Sequence, residues 1–355
     1  EMSEAIRLTQ FSKGSGCGCK IAPAVLESIL HQKSVKPSFP NLLVGNESND
    51  DAAIMELQNG LCLISTVDFF TPVVDDPFDF GRIAAANSIS DVYAMGGSPL
   101  MAVAILGFPV DKLPAEIAAK ILQGARAVCE VAGIPLAGGH SIDSPEPILG
   151  LSVNGTVRKE HLKRNNTAQP GDLLFLTKPL GIGILAAAAK RSLIQPEELK
   201  QLIDVMTQLN TIGATVSSLP GVSAITDITG FGLLGHLIEM CEGSGVSAEL
   251  FLNRLSIIPG AEKYRDQFVF PDNTYRNWNA YEKKVIGVNG PEFITLCDPQ
   301  TSGGLLIAVE EREVATFTAV LATQGLQEYC EPIGRLFEQQ QDYSVKIMSE
   351  KNTTA

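Results

Sequence analysis

Strand-like and helix-like segments alternate along the whole chain, and the alternation occurs twice. In the first half, the helical pattern "FGRIAAANSISDVYAMGG" lies between two apolar runs typical of buried strands, "LCLISTVDFF" and "LMAVAILGF". The second half repeats this order with "LLFLTK", "VSAITDIT" and the helical "GLLGHLIEMCEG". This alternation predicts the α/β (α+β) class with two domains of similar size.

A polar segment separates the two halves. The stretch "RKEHLKRNNTAQPGD" is charged and is broken by Pro170 and Gly171, as domain linkers often are. We therefore expect an N-terminal arm with a first helix at 1–47, one domain at 48–158, a second at 170–348, and a frayed tail after Lys346.

Further elements follow from local patterns. We expect a strand in "DAAIMEL", a helix in "PAEIAAKILQGARAVCEVAG" and a strand in "ILGLSVNGTVR". "IPLAGGHS" is interpreted as a short strand that runs into a glycine turn. "GILAAAAKRSL" and "PEELKQLIDVMTQLNTIGATVSSL" are each predicted to be a helix, and the later strands are "FITLC", "GLLIAVE", "PIGRLF" and "DYSVKIM".

Composition and charge exclude several classes of protein. Hydrophobic residues make up 45% and charged residues 19%, which indicates a folded globule. A net charge of −13 repels phosphate backbones and anionic lipid, so we expect no nucleic-acid or membrane partner. Apolar runs are too short to span a bilayer, and we find no signal-peptide pattern. Seven irregularly spaced cysteines indicate reduced thiols in a cytoplasmic protein.

Several carboxylates stand where solvated carboxylates are uncommon, although most aspartates are surface charges. The pair Asp50-Asp51 precedes a strand, Asp68 and Asp227 end apolar strands, and Asp91 interrupts a helix of small residues, with Asn87 one turn before it. Buried carboxylates need a positive partner, and these segments offer almost no lysine or arginine. Because Mg²⁺ prefers carboxylates together with substrate phosphates, the set predicts a multi-metal nucleotide site.

Two glycine motifs have alternative interpretations. "GFGLLG" at Gly230–Gly235 follows a strand and opens a helix, as a dinucleotide-binding fingerprint does, but Asp227 would then face the pyrophosphate. A nicotinamide or flavin enzyme is therefore a minor alternative. Gly138–Ser141, "GGHS", is either a phosphate-binding nest or an ordinary tight turn with a surface histidine.

The glycine-rich segment "GSGCGCK" carries two cysteines and a lysine. It lacks the order of a Walker A loop, it has no second pair of ligands for zinc, and a disulfide between Cys17 and Cys19 would be strained. The remaining interpretation is a nucleophilic or carrier thiolate whose pKa is lowered by Lys20, on an arm that glycine makes mobile.

These segments together resemble the selenophosphate synthetase family, in the superfamily of aminoimidazole ribonucleotide synthetase. The resemblance rests on motifs that occur in order over nearly the whole chain: "GSGCGCK", "VGNESNDDAA", "ISTVDFFTPVVDDPFDFGRIAAANSISDVYAMGG", "LAGGHSID", "TDITGFGLLGH" and "CDPQTSGGLL".

The resemblance implies an enzyme that makes selenophosphate from selenide, ATP and water, and that releases AMP and orthophosphate. It also implies Mg²⁺, a monovalent cation such as K⁺, and a homodimer built through strands of the N-terminal domain. The roles it implies are catalysis by Cys17 and Lys20; ATP contacts by Lys20, Ser48, Asn49, Asp50, Asp68, Asp91, Gly139, His140 and Ser141, the last three toward the neighbouring subunit; and metal binding by Asp51, Asp91 and Asp227.

Departures from the family pattern are few. Lys13 stands where relatives often have histidine, and Ser48-Asn49 replaces the common Thr-Arg, which removes a basic contact to ATP. Two other hypotheses are a sibling ATP enzyme of the superfamily and a non-catalytic selenium or thiol carrier. The sibling lacks a reason for the "CGCK" arm, and the carrier lacks a reason for the acidic set. The selenium donor is either selenide itself or a protein that delivers a perselenide.

Overall fold

The computed structural model describes residues 6–21, 23–30, 39–45 and 50–349. The first half of the chain forms a six-stranded sheet with helices on one face. Its elements are α1 (Pro23–Leu30), β1 (Leu42–Val44), β2 (Ala53–Glu56), β3 (Leu61–Phe70), α2 (Pro77–Ala94), β4 (Ser98–Phe108), α3 (Ala115–Val131), β5 (Leu136–Asp143) and β6 (Ile148–Arg158).

The first sheet has the strand order β1-β2-β3-β6-β4-β5. Its pairs are antiparallel except for β5, which runs parallel to β4 at the edge. Alternate side chains of β3 point to opposite faces, so Cys62 and Ile64 are buried whereas Val67 and Phe69 are about half exposed. The sheet therefore has one face covered by helices and one partly apolar face open to solvent.

Helix α2 is the central helix of this half. It begins after Asp76, whose side chain accepts a hydrogen bond from the backbone of Asp79, with Pro77 in the first turn. Its close packing on α3 requires glycine: a Cβ on Gly81 would lie 1.9 Å from the Ile121 carbonyl oxygen. α2 therefore holds a fixed position under β3, which matters because the helix carries Asn87 and Asp91.

The second half forms a seven-stranded mixed sheet of order β10-β13-β9-β12-β7-β11-β8. Its elements are β7 (Leu173–Leu176), α4 (Ile182–Lys190), α5 (Pro196–Thr207), α6 (Ile212–Val216), β8 (Val222–Asp227), α7 (Gly232–Ser244), β9 (Val246–Phe251), α8 (Ala261–Asp266), α9 (Asn273–Tyr281), β10 (Val285–Ile286), α10 (Glu292–Leu296), β11 (Leu305–Val309), α11 (Val314–Thr323), β12 (Gly334–Glu338) and β13 (Val345–Met348).

The predicted α/β class and most predicted elements are confirmed, but three local predictions were wrong. "FITLC" is the helix α10 and not a strand, because a short apolar run does not distinguish the two. The predicted long helix breaks into α5 and α6, since the backbone of Gln208 is extended. Gly138 and Gly139 continue β5 and do not form a turn, and a Cβ on Gly139 would lie 2.2 Å from the Ala104 carbonyl oxygen.

The predicted domain limits stay a prediction. β6 ends at Arg158 and β7 begins at Leu173, and the polar segment lies between them. None of the helices in the described part of the chain is long and apolar enough to cross a membrane.

Candidate active site

Three aspartates from separate elements meet at one point. Asp51 precedes β2, Asp91 lies in α2, and Asp227 ends β8. Each offers a carboxylate oxygen within 4.8 Å of those of the other two. The fold thus brings together the three residues for which the sequence predicts metal binding.

The hydrogen bonds around these carboxylates leave oxygens without a donor. Thr226 Oγ1 donates to Asp51 Oδ1 at 2.9 Å, and Thr66 Oγ1 donates to Asp91 Oδ2 at 2.6 Å. Asp51 Oδ2 and Asp227 Oδ2 are buried and have no hydrogen-bond partner among the described residues. Because a buried carboxylate oxygen without a partner is costly, the donor set fits a hard cation such as Mg²⁺.

The electrostatics of the cluster also favour a cation. Burial raises the pKa of Asp51 and of Asp91 well above the ordinary range, and the charge of Asp227 adds to the rise. Burial also raises the pKa of Asp227, against the hydrogen bond from Ser90. Three carboxylates that repel one another at this distance are relieved by one divalent cation.

Asp68 lies on β3 beside the cluster and is tied to α2. Asn87 Nδ2 donates to Asp68 Oδ2 at 2.8 Å, and Asn87 is 1% exposed. Asp50 has a structural contact as well: its Oδ1 accepts the backbone N–H of Asn165 at 2.9 Å. Ser48 and Asn49, predicted to contact ATP, lie outside the described residues.

The N-terminal arm, residues 6–21 in the described part, is docked against the molecule. Gly16 bridges to Thr71, and Lys190 Nζ donates to the carbonyl oxygens of Ser12, Lys13 and Gly14, each at 3.2 Å. Arg7 Nε pairs with Asp75 at 2.8 Å. These contacts hold Lys20 next to Asp91 and Asp227 of the cluster, and Cys17 next to Lys20 and Asp68.

The environment of Cys17 differs from the sequence prediction of an activated thiolate on a mobile arm. Cys17 is 1% exposed, and its Sγ lies 3.4 Å from Asn87 Oδ1. Burial, followed by the charge of Asp68, raises the pKa of Cys17 strongly, and Lys20 offsets only part of that rise. The prediction of a lowered pKa was therefore wrong for the docked arm, because it omitted desolvation. Cys19 is exposed.

Lys20 lies where its charge counters the carboxylates. Its side chain passes the loop after β8, so that a Cβ on Gly230 would lie 3.1 Å from Lys20 Cδ. Burial lowers the pKa of Lys20, but the charges of Asp68, Asp91 and Asp227 outweigh that effect and hold the pKa above its ordinary value. The ammonium is thus retained next to these carboxylates.

Gly139, His140 and Ser141 lie elsewhere in the chain's own fold. They are on the exposed edge strand β5, three strand positions from β3, which is ~14 Å across the sheet. They line a surface cavity of about 380 Å³ together with residues that include Leu106, Leu122 and Arg126. Within one chain, these three residues are therefore separated from Asp68 on β3 by two intervening strands, β6 and β4.

Sequence reasoning missed Thr66, Lys178, Thr301 and Ser302. Thr301 accepts the backbone N–H of Cys17 through its Oγ1 at 3.0 Å, and Ser302 donates its backbone N–H to Asn87. The available signal was the motif "CDPQTSGGLL", whose paired glycines indicate a tightly packed loop.

Comparison with known proteins identifies two matching domain families. The family model for the AIR synthase related protein, N-terminal domain, matches residues 49–157, and that for the C-terminal domain matches residues 169–346. A selenide, water dikinase of Yersinia pestis is 55% identical over 94% of this chain and 95% of its own length. One of Pseudomonas putida is 54% identical over 98% of this chain and 100% of its own length.

Solved structures share the fold at low identity. The thiamine-monophosphate kinase of Stenotrophomonas maltophilia superposes with a TM-score of 0.63 at 19% identity, covering 87% of this chain and 91% of that one. The hydrogenase maturation protein HypE in complex with ATP gives 0.61 at 17% identity, covering 84% and 82%. At these identities the likeness shows the fold alone.

Proposed function

Because the chain belongs to the selenide, water dikinase family, we propose that it converts selenide, ATP and water into selenophosphate, AMP and orthophosphate. The observation that carries this proposal is the position of the arm: Lys20 interacts with Asp68 and with Asp91 and Asp227 of the carboxylate cluster, and Cys17 interacts with Lys20 and Asp68. A soft thiol next to a hard, acidic metal site suits a reaction that joins a chalcogen to phosphate.

Mg²⁺ is the metal that the cluster is proposed to bind. The carboxylates of Asp51, Asp91 and Asp227 would hold it, and the partnerless oxygens of Asp51 and Asp227 are the atoms that support this. The metal would neutralise the phosphate charge that a chain of net charge −13 otherwise repels. K⁺ is included in the proposal on the family resemblance alone.

ATP is proposed to lie between the cluster and the docked arm. Lys20 contributes positive charge, and Asp68 and Asp91 border the same space. Asp50, Ser48 and Asn49 complete the proposed ATP contacts, as the family resemblance implies. Phosphoryl transfer depends mainly on positioning and charge neutralisation, which Lys20 and the bound metal would supply.

A homodimer is part of the proposal. The open face of the first sheet carries exposed apolar side chains, with Val67 at 52%, Phe69 at 51% and Ile142 at 59% exposure. A second copy that covers this face would remove them from water. β5 would then bring Gly139–Ser141 to the ATP of the neighbouring subunit, which accounts for their distance from the chain's own cluster.

Cys17 is proposed to take up selenium in the cytoplasm from a protein that delivers a perselenide: the Cys17 thiolate attacks the outer selenium, a sulfur–selenium bond forms, and the donor cysteine leaves as a thiolate. Where selenide itself is the donor, no sulfur–selenium bond forms, and selenide is proposed to be held next to Cys17 as the substrate of the reaction. A sibling ATP enzyme of the superfamily would have no use for this thiol. A non-catalytic carrier would have no use for three converging carboxylates. Both residue sets are explained by one enzyme that activates selenium with ATP.

The test is the dependence of AMP formation on selenide. Purified protein with ATP and Mg²⁺ is expected to form AMP and a phosphorus–selenium product only when selenide is added. Both products are detected by ³¹P nuclear magnetic resonance. AMP or ADP formation with another acceptor and none with selenide would favour the sibling enzyme. Selenium bound to Cys17 without ATP consumption would favour the carrier.

A further inference from the structure

The loop Thr301–Gly304 is held in place by three buried polar side chains from different parts of the fold. Asn87 Oδ1 accepts the Ser302 N–H at 2.9 Å, and Lys178 Nζ donates to the Ser302 carbonyl at 2.8 Å. Asn210 Nδ2 donates to the Gly303 carbonyl at 2.9 Å. The backbone of this short loop is thus fixed on three sides.

Two features of the loop and its surroundings are energetically unfavourable. Ser302 has φ of 51°, a left-handed conformation that non-glycine residues rarely adopt. Lys178 is 2% exposed, and burying a lysine amine is unfavourable. Strained backbone and buried polar groups are kept where the surroundings fix a functional geometry.

The outer side of this loop contacts the arm at Cys17. The Cys17 backbone N–H donates to Thr301 Oγ1 at 3.0 Å, and Cys17 Sγ lies 3.4 Å from Asn87 Oδ1. Gly16 fits closely against the same threonine, since a Cβ on Gly16 would lie 2.3 Å from Thr301 Oγ1. The arm therefore fits closely against Thr301 and Asn87, and an added methyl group at Gly16 would not be accommodated.

We propose that Asn87, Thr301 and Ser302 form a docking seat for Cys17, the Cys17 seat, and that Thr301 and Asn87 are positioning residues for the thiol. The seat has two states: with Cys17 seated the thiol is shielded, and with the arm released it is accessible. Its purpose in selenium transfer rests on the proposed function, whereas its existence does not.

The hydrogen bonds determine which form of the thiol the seat accepts. Asn87 Nδ2 donates to Asp68, so the Oδ1 atom that faces Cys17 is an acceptor. Cys17 must then donate, which requires the S–H form. The charged or titratable groups around Cys17 are Asp68, Lys20 and Cys19, and the repulsion from Asp68 also disfavours a thiolate. Seated Cys17 is thus a protected thiol. The thiolate that takes up selenium forms when the arm leaves, and docking returns Cys17 to the proposed ATP site.

The test measures alkylation of Cys17 by iodoacetamide. In a Cys19→Ser parent, trypsin cleavage after Lys13 and Lys20 yields a peptide with one thiol, which mass spectrometry quantifies. Thr301→Val keeps the branched shape but removes the acceptor, and loss of one hydrogen bond is expected to raise the alkylation rate about fivefold. Thr301→Ser keeps the hydroxyl and is expected to stay near the parent rate.

Gly16→Ala tests the Cys17 seat by a change in the arm, so none of the residues that form the seat is replaced. The added Cβ collides with Thr301, and we expect the largest rise in rate. The pH profile should also move down toward that of an ordinary cysteine, with a pKa of about 8.5. Cys297 is 0% exposed, so its alkylation in any variant reports unfolding. If Cys297 becomes alkylated in Thr301→Val, the rate measured for Gly16→Ala replaces it as the test of the Cys17 seat.

Equal rates in the parent, Thr301→Val and Gly16→Ala would overturn the seat. An equal rise in Thr301→Ser and Thr301→Val would also overturn it, because the hydroxyl would then be irrelevant. The readout is independent of catalysis. Failure of selenide-dependent AMP formation therefore rejects the proposed function alone, and unchanged alkylation in an active enzyme rejects the seat alone.

Discussion

At the scale of single residues, the site brings together carboxylates whose oxygens are only partly hydrogen-bonded within the described protein. Asp51, Asp91 and Asp227 approach within 4.8 Å although burial raises the pKa of each, and the charge of Asp227 adds to the rise for Asp51 and Asp91. Lys20 is the nearby cation on the arm, and it offsets part of this charge. A cation bound at the cluster, as proposed, would relieve this repulsion and stabilise the protein.

Replacing any one of these aspartates should separate stability from activity. Asp51→Asn, Asp91→Asn and Asp227→Asn are each expected to abolish ATP turnover while the fold is retained, because removing one charge lessens repulsion. Mg²⁺ should raise the Tm of the wild type and raise it less in each variant. Asp111→Asn, at an exposed position, is the matched control. Near-normal turnover at saturating Mg²⁺ would exclude the residue as a ligand.

Lys20 should act mainly on the chemical step. Lys20→Gln is expected to lower kcat for AMP formation much more than it weakens ATP binding, since its charge has the greatest effect where negative charge builds up in the transition state. Lys13→Gln changes an exposed lysine of the same arm and serves as the control. Calorimetry of ATP binding beside steady-state kinetics makes the comparison, and parallel losses in both quantities would contradict it.

At the scale of elements, α2 links the core to the site. Its face toward α3 is packed through Gly81 and Gly124, where backbone atoms of the partner helix approach closely. The same helix carries Asn87, which contacts Cys17, and Asp91 of the acidic cluster. A change in the packing of α2 on α3 should therefore shift Asn87 and Asp91 and affect the proposed active site.

Gly81→Ala tests this link. A Cβ there would lie 1.9 Å from the Ile121 carbonyl oxygen, so the two helices must separate, and we expect a loss of about 1–3 kcal/mol in the free energy of unfolding. Gly138→Ala is the control for stability, since its Cβ meets nothing within 4 Å. Denaturant unfolding measures both variants, and equal stability would show that α2 adjusts freely.

The sequence predicted the regular elements better than the loops. α2 and β3 have strong patterns, whereas "FITLC" is too short for its periodicity to separate helix from strand. The aspartates were found because carboxylates at strand ends are unusual. The docked state of Cys17 was missed because its burial depends on Thr301, which is far away in sequence. Desolvation of that kind cannot be obtained from local composition.

At the scale of the whole molecule, the proposed dimer unites features that one chain keeps apart. The exposed side chains of Val67 and Phe69 lie on the opposite face of β3 from Thr66, which hydrogen-bonds Asp91 of the acidic cluster, and the edge strand β5 is three strand positions away from β3. A second copy would cover that face and supply His140 and Ser141 to the neighbouring ATP.

Mixed dimers test this arrangement. An Asp51→Asn subunit and a Ser141→Ala subunit are each expected to be impaired alone, and a heterodimer of the two should regain activity, because one of its two sites has both intact parts. Differently tagged subunits allow the heterodimer to be isolated. A pure heterodimer that has no more activity than its parents would place Ser141 in its own subunit's site or outside any site.

The central claim is that Cys17 handles selenium while the acidic cluster handles ATP. The most direct measurement is selenide-dependent AMP formation by Cys17→Ser, beside calorimetry of ATP binding in the presence of Mg²⁺ and with Cys19→Ser as the control. We predict that Cys17→Ser forms no selenophosphate yet binds ATP as the wild type does, because a hydroxyl cannot replace a soft thiol, and that Cys19→Ser stays active. A fully active Cys17→Ser enzyme would contradict the account, since the arm would then only cover the site.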